Sequence, residues 1–307
     1  MKIMEIKNII RPLSLCICMV LMVGFTYAQT DTIVNVVDKD GMLPLRRPWN
    51  SSMIIDNQTT EGPSAKQFHF SIHHRFGKIK EMGDIFGIYA SSNIRLGLNY
   101  GITEDISIGF GTEKYKKMQE FQGKYKIISQ TRNGKIPVSV SYFGNIVIDG
   151  RDKEIYGVNY NFKNRLSFFN QVIVSRKFTD ELSVQLAGSF SHFNAVTDLV
   201  QNSQVDTIGK WKNDYIGAMF GARYRFHKNI SAIAEYCQPF GLKKAWDGQS
   251  KPLPNIGLGV EFGTSTHAFQ VFAANYEGII AQENYSHNTN DLAFEGWRFG
   301  FNITVRF

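Results

Sequence analysis

The chain has 307 residues, enough for one large domain or two small ones. Its formal charge of +7 comes from 34 Lys/Arg and 27 Asp/Glu scattered along the chain, which excludes the clustered basic patch of a nucleic-acid binder. It is rich in glycine and aromatic residues and poor in proline, and no second apolar run reaches the length of a membrane helix.

The N-terminus carries Lys2, Lys7 and Arg11, then an apolar run over 13–25, then Thr26, Tyr27 and Ala28 before Gln29. This order predicts a secretory signal peptide, residues 1–28, cut after Ala28. The run is shorter than the roughly 20 residues a spanning helix needs. Cys16 and Cys18 follow Leu15 and Ile17, where a lipidation signal calls for a small residue, so no lipid anchor is expected. Cleavage removes three basic residues and Glu5, leaving +5 and a single cysteine, Cys237, so no intramolecular disulfide can form. Cys237 reads as a small half-buried side chain.

Residues 29–65 form a polar stretch broken by Pro44, Pro48 and Pro63, with little regular structure expected. Two readings stay open for this periplasmic or lumenal segment. It folds into a barrel mouth as a plug, with Arg46, Arg47 and Trp49 facing carboxylates such as Glu120 or Glu261, or it lies outside without order.

From Lys66 to Phe307 strand-like runs alternate with period two. The last is the clearest: Trp297, Phe299, Phe301, Ile303, Val305 and Phe307 on one face, Arg298, Gly300, Asn302, Thr304 and Arg306 on the other. Tracts over 136–148, 165–178 and 214–226 exceed ordinary globular strands and suit tilted membrane strands. Connections alternate short (103–105, 131–135, 179–180, 227–229, 264–266) and long (77–92, 149–164, 194–213, 241–254, 277–295), with 114–118 shorter than its set. That is the periplasmic-turn, outer-loop pattern of bacterial barrels. The count is about twelve strands, and the strand starting near Lys66 should pair with the last one, because lipid tolerates no open edge. The expected fold is all-β: a closed antiparallel up-and-down transmembrane β-barrel over residues 66–307 of an outer-membrane protein. The terminal Phe307 resembles the signal read by the barrel-assembly machinery. Phe76, Tyr100, Phe110, Tyr142, Phe168, Tyr224, Phe226, Phe240, Trp297 and Phe307 fit interfacial girdles.

Several stretches carry a family resemblance: SMIIDNQTT (52–60), HHRFG (73–77), SNIRLGLNYGIT (92–103), DISIGFGTEK (105–114), GKYKIISQT (123–131) and IPVSVSYFG (136–144). They resemble a family of Bacteroidetes outer-membrane β-barrels catalogued as domain of unknown function 5777. The resemblance is dense from about 50 to 150 and looser beyond. It implies an outer-membrane barrel and brings no site residues.

On the residues themselves, the expected lumen wall holds His69, His73, Arg75, Arg95, Glu120, Lys124, Lys126, Arg223, Arg225, Glu235, Glu261, Arg298 and Arg306. Either these charges pair across a packed interior, or an aqueous path remains with a basic bias toward anions. His69 and His73 lack the further ligands a metal needs, so no metal and no cofactor is expected. A tight hairpin at Thr179–Asp180 would set Phe169 opposite Phe190 and Ile173 opposite Leu186, all toward lipid, with Ser167 opposite His192 at the outer rim. That pair could attack lipid esters, yet no motif surrounds it and no Asn or Asp is assigned to orient the imidazole.

Three functions follow: a porin-like conduit for small solutes with a polar, mixed-charge lumen, a structural or binding barrel acting through outer loops (194–213 and 277–295 foremost), and a lipid esterase. The first is favoured, and a non-enzyme is expected. Expected partners are outer-membrane lipid, the assembly machinery, and small solutes, with no nucleic acid.

Overall fold

A computed structural model describes residues 42–45, 48–78, 87–196, 198–200, 207–210, 213–241, 252–290 and 296–307. A two-stranded hairpin comes first, β1 (Met53–Ile54) and β2 (Asn57–Gln58). Long strands follow: β3 (Phe68–Arg75), β4 (Asn93–Gly101), β5 (Ile106–Glu113), β6 (Met118–Ile128), β7 (Ser139–Ile148), β8 (Leu166–Lys177) and β9 (Leu182–Phe193). After a small separate pair, β10 (Asp198–Val200) and β11 (Thr207–Lys210), come β12 (Asp214–His227), β13 (Ile230–Gly241), β14 (Asn255–Gly263), β15 (His267–Ala274) and β16 (Arg298–Arg306). Among the described residues, the twelve long strands pair antiparallel with their neighbours into one closed barrel.

The seam is where the sequence pattern put it. β16 pairs with β3, Val305 opposite Phe70 and Phe301 opposite His74. Phe307 N–H donates to the Phe68 carbonyl at 2.9 Å, so the ladder runs to the last residue. Closure leaves no edge to desolvate in lipid.

The short turns have a shared chemistry. The Thr103 hydroxyl accepts from the amides of Asp105 and Ile106, Thr179 from those of Glu181 and Leu182, and Thr264 from that of His267. Hydroxyls that mimic a turn's backbone acceptor fix these corners. At Thr179 the consequence is a correction. The Phe178 N–H donates to the Leu182 carbonyl at 2.8 Å, and the ladder beyond pairs Lys177 with Ser183. The hairpin is therefore shifted by one from the two-residue turn expected, and a one-residue shift changes which residues share a face. Asn170, not Phe169, lies opposite Phe190, and Ala187, not Leu186, lies opposite Ile173.

Outside, the barrel presents Leu98, Phe110, Phe121, Val172, Leu186, Phe220, Leu258 and Val271, all exposed. Such a continuous apolar belt is what hydrocarbon requires and water penalises. No helix among the described residues is long and apolar enough to cross a membrane; the strands do the crossing.

The inward face carries a second apolar set. Phe143, Phe169, Ile173, Met219, Ile233 and Phe272 are buried in one cluster with Trp49, Ile54, Ile55, Cys237 and Tyr285. Phe169 and Ile173, expected against lipid, are 0% exposed, whereas Phe190 and Leu186 are 40% and 60% exposed. The reason is that this barrel has two apolar environments, one of acyl chains and one made by its own inserted segments.

Candidate functional site

Much of the inward face is built from small residues: Ser139 and Ser141 on β7, Ser175 on β8, Ser183, Ser189 and Ser191 on β9, Gly217 and Gly221 on β12. Twelve strands enclose more space than such side chains fill. Two segments occupy it.

The first is residues 48–64. It is tied to the short turn after β6, where Leu45 N–H donates to the Gln130 carbonyl at 2.7 Å. It then enters the lumen as the β1–β2 hairpin. At the hairpin tip Ile55 has φ 51°, a left-handed conformation that β-branched residues rarely adopt. The barrel wall holds it there. Gln270 Oε1 accepts from Ile55 N–H at 3.1 Å and Asn302 Nδ2 donates to its carbonyl at 2.6 Å. Charged side chains clamp the rest. Arg75 pairs with Asp56. Glu235 Oε2 accepts from the Asp56 and Asn57 amides at 3.1 and 3.3 Å and from Asn57 Nδ2 at 2.7 Å. Lys124 Nζ donates to the carbonyls of Ser52, Thr59 and Glu61 at 3.1, 3.0 and 2.7 Å.

The second segment, residues 275–290, joins β15 to β16 and folds inward from the other end as a short helix, α1 (Ala281–Ser286). Glu113 accepts from the Ile279 and Ile280 amides at 3.2 and 3.0 Å. Gln282 Nε2 donates to Asn145 Oδ1 at 3.0 Å and Ser167 Oγ at 3.2 Å. Gln171 Nε2 donates to the Tyr285 hydroxyl at 2.7 Å, and that hydroxyl donates to Asn57 Oδ1. The two segments thus touch inside the barrel. Glu283, buried, binds Lys116 Nζ and His287 Nδ1, both at 2.7 Å. Burial alone would raise the Glu283 carboxyl; Lys116 and His287 outweigh it and hold it well below the usual carboxylate range. Burial lowers His287, partly offset by Glu283.

The residues expected to line the lumen fall into three groups. Arg75, Lys124 and Glu235 hold the hairpin, as above. His69, His73, Arg95, Glu120, Arg223, Glu261 and Arg298 are buried on the inward face. Of these, Arg95 pairs with Glu120, Arg223 Nε with Glu261 Oε1 at 2.8 Å, and Arg298 Nη2 with Glu277 Oε2 at 2.8 Å. Lys126, Arg225 and Arg306 sit at the short-turn end, half-exposed: Lys126 4.0 Å from Glu61, Arg225 3.8 Å from Glu181, Arg306 on the Thr264 and Ser265 carbonyls at 3.0 and 2.9 Å.

Three expectations are corrected. Trp49 packs in the apolar cluster and meets no carboxylate; Asn50 takes Glu261 instead, at 2.9 Å, and Glu120 is held by Arg95 and Asn145. Arg46 and Arg47 lie outside the described residues. The loop beginning at Glu277, expected to face outward, fills the lumen through residue 290. Ser167 and His192 do not meet: Ser167 is buried inside, paired in the ladder with Phe193, while His192 is part-exposed, bonded to Asp214 at 2.6 Å and Asn194 at 3.0 Å. Sequence reading missed Asp56, Asn57, Gln270 and Tyr285, and put Asn302 on the polar face of the last strand without a role. For Asp56 and Asn57 a signal was present in the adjacent apolar pair Ile54–Ile55 inside a polar, proline-bounded segment. Among the described residues no cluster of metal-ligand type occurs.

A family model described as a membrane bound beta barrel domain (DUF5777) matches residues 49–307, so the match takes in the inserted hairpin as well as the barrel. No curated protein matches the chain. Among solved structures, an outer-membrane channel from Pseudomonas putida F1 is 10% identical, with TM-score 0.51 over 80% of this chain and 97% of that one. The NanC porin is 10% identical with TM-score 0.46, over 78% of this chain and 98% of its own. The KdgM porin is 10% identical with TM-score 0.44, over 78% and 99%. At such identity the likeness to the Pseudomonas channel is one of fold.

Proposed function

The chain belongs to the family of membrane-bound β-barrel domains (DUF5777), and from that premise we propose that it is an outer-membrane, porin-like conduit for small solutes, held shut in this state by two of its own segments. The observation that carries the reading is the contact of Tyr285 with Asn57, where the inner hairpin and the outer helix meet. The hairpin meets the wall through an apolar cluster on one side and through Arg75, Lys124, Glu235, Gln270 and Asn302 on the other, so a wall stripped of it keeps a polar stripe that water can wet. Export through a leader ending at Ala28, and recognition of Phe307 by the assembly machinery, belong to the same proposal.

The test is current through planar bilayers. Full-length mature protein should pass little, and a variant lacking residues 48–64 and carrying a short Gly/Ser linker in place of residues 276–290 should show stable, larger conductance steps. A deletion variant that still runs as a folded barrel on unheated gels yet stays sealed would overturn the conduit. That outcome would favour the second reading, a barrel of structural or binding role, which the paired interior charges Arg95–Glu120 and Arg223–Glu261 support. No hydrolytic role is proposed, since Ser167 and His192 sit on opposite faces of the barrel wall.

A further inference from the structure

Above the seal, at the outer mouth, lies a cavity of about 250 Å³. This is smaller than the roughly 300–1,000 Å³ of sites for drug-sized molecules, so an occupant must be small. Its floor is the Glu283–His287 end of α1, and its sides are the loop between β7 and β8 and the start of β8.

The charges on its walls do not cancel. Three cations, Lys116, Arg151 and Arg165, face two carboxylates, Asp149 and Glu283. Lys116 is taken by Glu283. Arg151 is taken by Asp149, whose two oxygens both lie 3.0 Å from its Nε. Arg165 is left with neutral acceptors among the described residues: the Tyr160 hydroxyl at 2.6 Å, the Asp149 carbonyl at 2.7 Å, and the Arg151 carbonyl. Its guanidinium lies over the rings of Tyr156 and Tyr160, 5.5 and 5.1 Å from their centroids.

The arginine is also held in place. Residues 162–165 form one 3-10 turn closed by reciprocal caps, Asn161 Oδ1 accepting from Lys163 N–H at 3.0 Å and Asn164 Oδ1 from Asn161 N–H at 2.9 Å. With Nε and Nη1 engaged, Nη2 keeps its two N–H donors; a guanidinium held still in a concave site, with no carboxylate paired to it among the described residues, is built to receive one. Beside it the Tyr156 oxygen, whose proton goes to Asp149, can still accept, and the Asn164 Nδ2 can donate, to hydroxyl groups.

We infer that this outer-mouth cavity binds a small hydroxylated carboxylate, its acid group on Arg165. The inference goes beyond the conduit reading, because the cavity lies outside the seal and binding there needs no current. The experiment is calorimetric titration of the full-length mature barrel in detergent with D-glucuronate, D-glucose and inorganic phosphate. Saturable binding of glucuronate and none of glucose is expected, a difference of one carboxylate. R165Q should weaken binding at least tenfold, R165K should keep part of it as a point charge, and K177Q at the opposite rim should leave it unchanged. Absence of saturable glucuronate binding, equal binding of glucose, phosphate bound in preference to glucuronate, or full affinity in R165Q would each overturn the assignment.

Discussion

The lumen is filled from its two ends by segments held in different ways. The inner one, residues 48–64, is clamped by charge: Arg75 on Asp56, Glu235 on two amides, Lys124 on three carbonyls. The outer one, residues 275–290, meets the wall deep inside through the neutral groups of Gln282, Asn284 and Tyr285, takes one acidic side chain, Glu113, on its Ile279 and Ile280 amides, and keeps its Glu283–Lys116 pair near the mouth. The outer segment is also covalently continuous with β15 and β16 at both ends. Removing one neutral partner leaves a group whose desolvation costs about 1–3 kcal/mol. Removing one partner of a buried ion pair leaves a stranded charge and costs about 3–5 kcal/mol. Deep in the lumen the inner segment is therefore the more sensitive to single substitutions, and the outer one matches that sensitivity only at Glu113 and at the Glu283–Lys116 pair.

The largest effect expected at a single residue is at Arg75. Arg75→Ala strands Asp56 and should cost about 3–5 kcal/mol, read as a lower urea midpoint for the folded band; adding Asp56→Asn should recover part of it. An unchanged midpoint would mean that charge does not anchor the hairpin. Next comes Gly217. A Cβ there would approach Ser189 Oγ to 2.5 Å and Cδ1 of Tyr285 to 2.8 Å; the hydroxyl can rotate away but the ring cannot, so Gly217→Val should unseat the outer segment at about 1–3 kcal/mol. Limited proteolysis should then cut within 275–290 while 48–64 stays protected. Equal exposure of both would show that they move as one body and erase the distinction. The smallest effect is that of mild acid. Glu283 and His287 both titrate lower when seated than their ordinary values of 4.5 and 6.5. Each therefore favours the seated form above its ordinary value and withdraws that support as the pH falls. Proteolysis of 275–290 should quicken as the pH drops below 4.5, and Glu283→Gln should remove that step.

The barrel itself was legible because lipid imposes a strict rule on each strand, and the rule survives in residues such as those of β16. The seam, the short turns and the strand count follow from it. The register of β8 with β9 was not legible, because the Thr179 hydroxyl builds a wider turn than a two-residue reading assumes. The inward placement of Phe169 and Ile173 was hidden for a different reason. An aromatic or branched side chain looks the same in sequence whether it meets acyl chains or Ile54 of an inserted hairpin. Of the candidate site, the ionisable residues were visible as exceptions to alternation. Their partners were not, because Asp56, Asn57 and Tyr285 come from segments without strand periodicity.

The hairpin tip rests on residues from both sides of the seam, Asn302 of β16 and Arg75 of β3. Gln270 and Asn302 offer their part of the cradle from neighbouring strands, and the Arg75 part arrives only when β3 meets β16. Sealing the wall and seating the stopper therefore draw on shared residues, and a change that loosens one joint loosens the other.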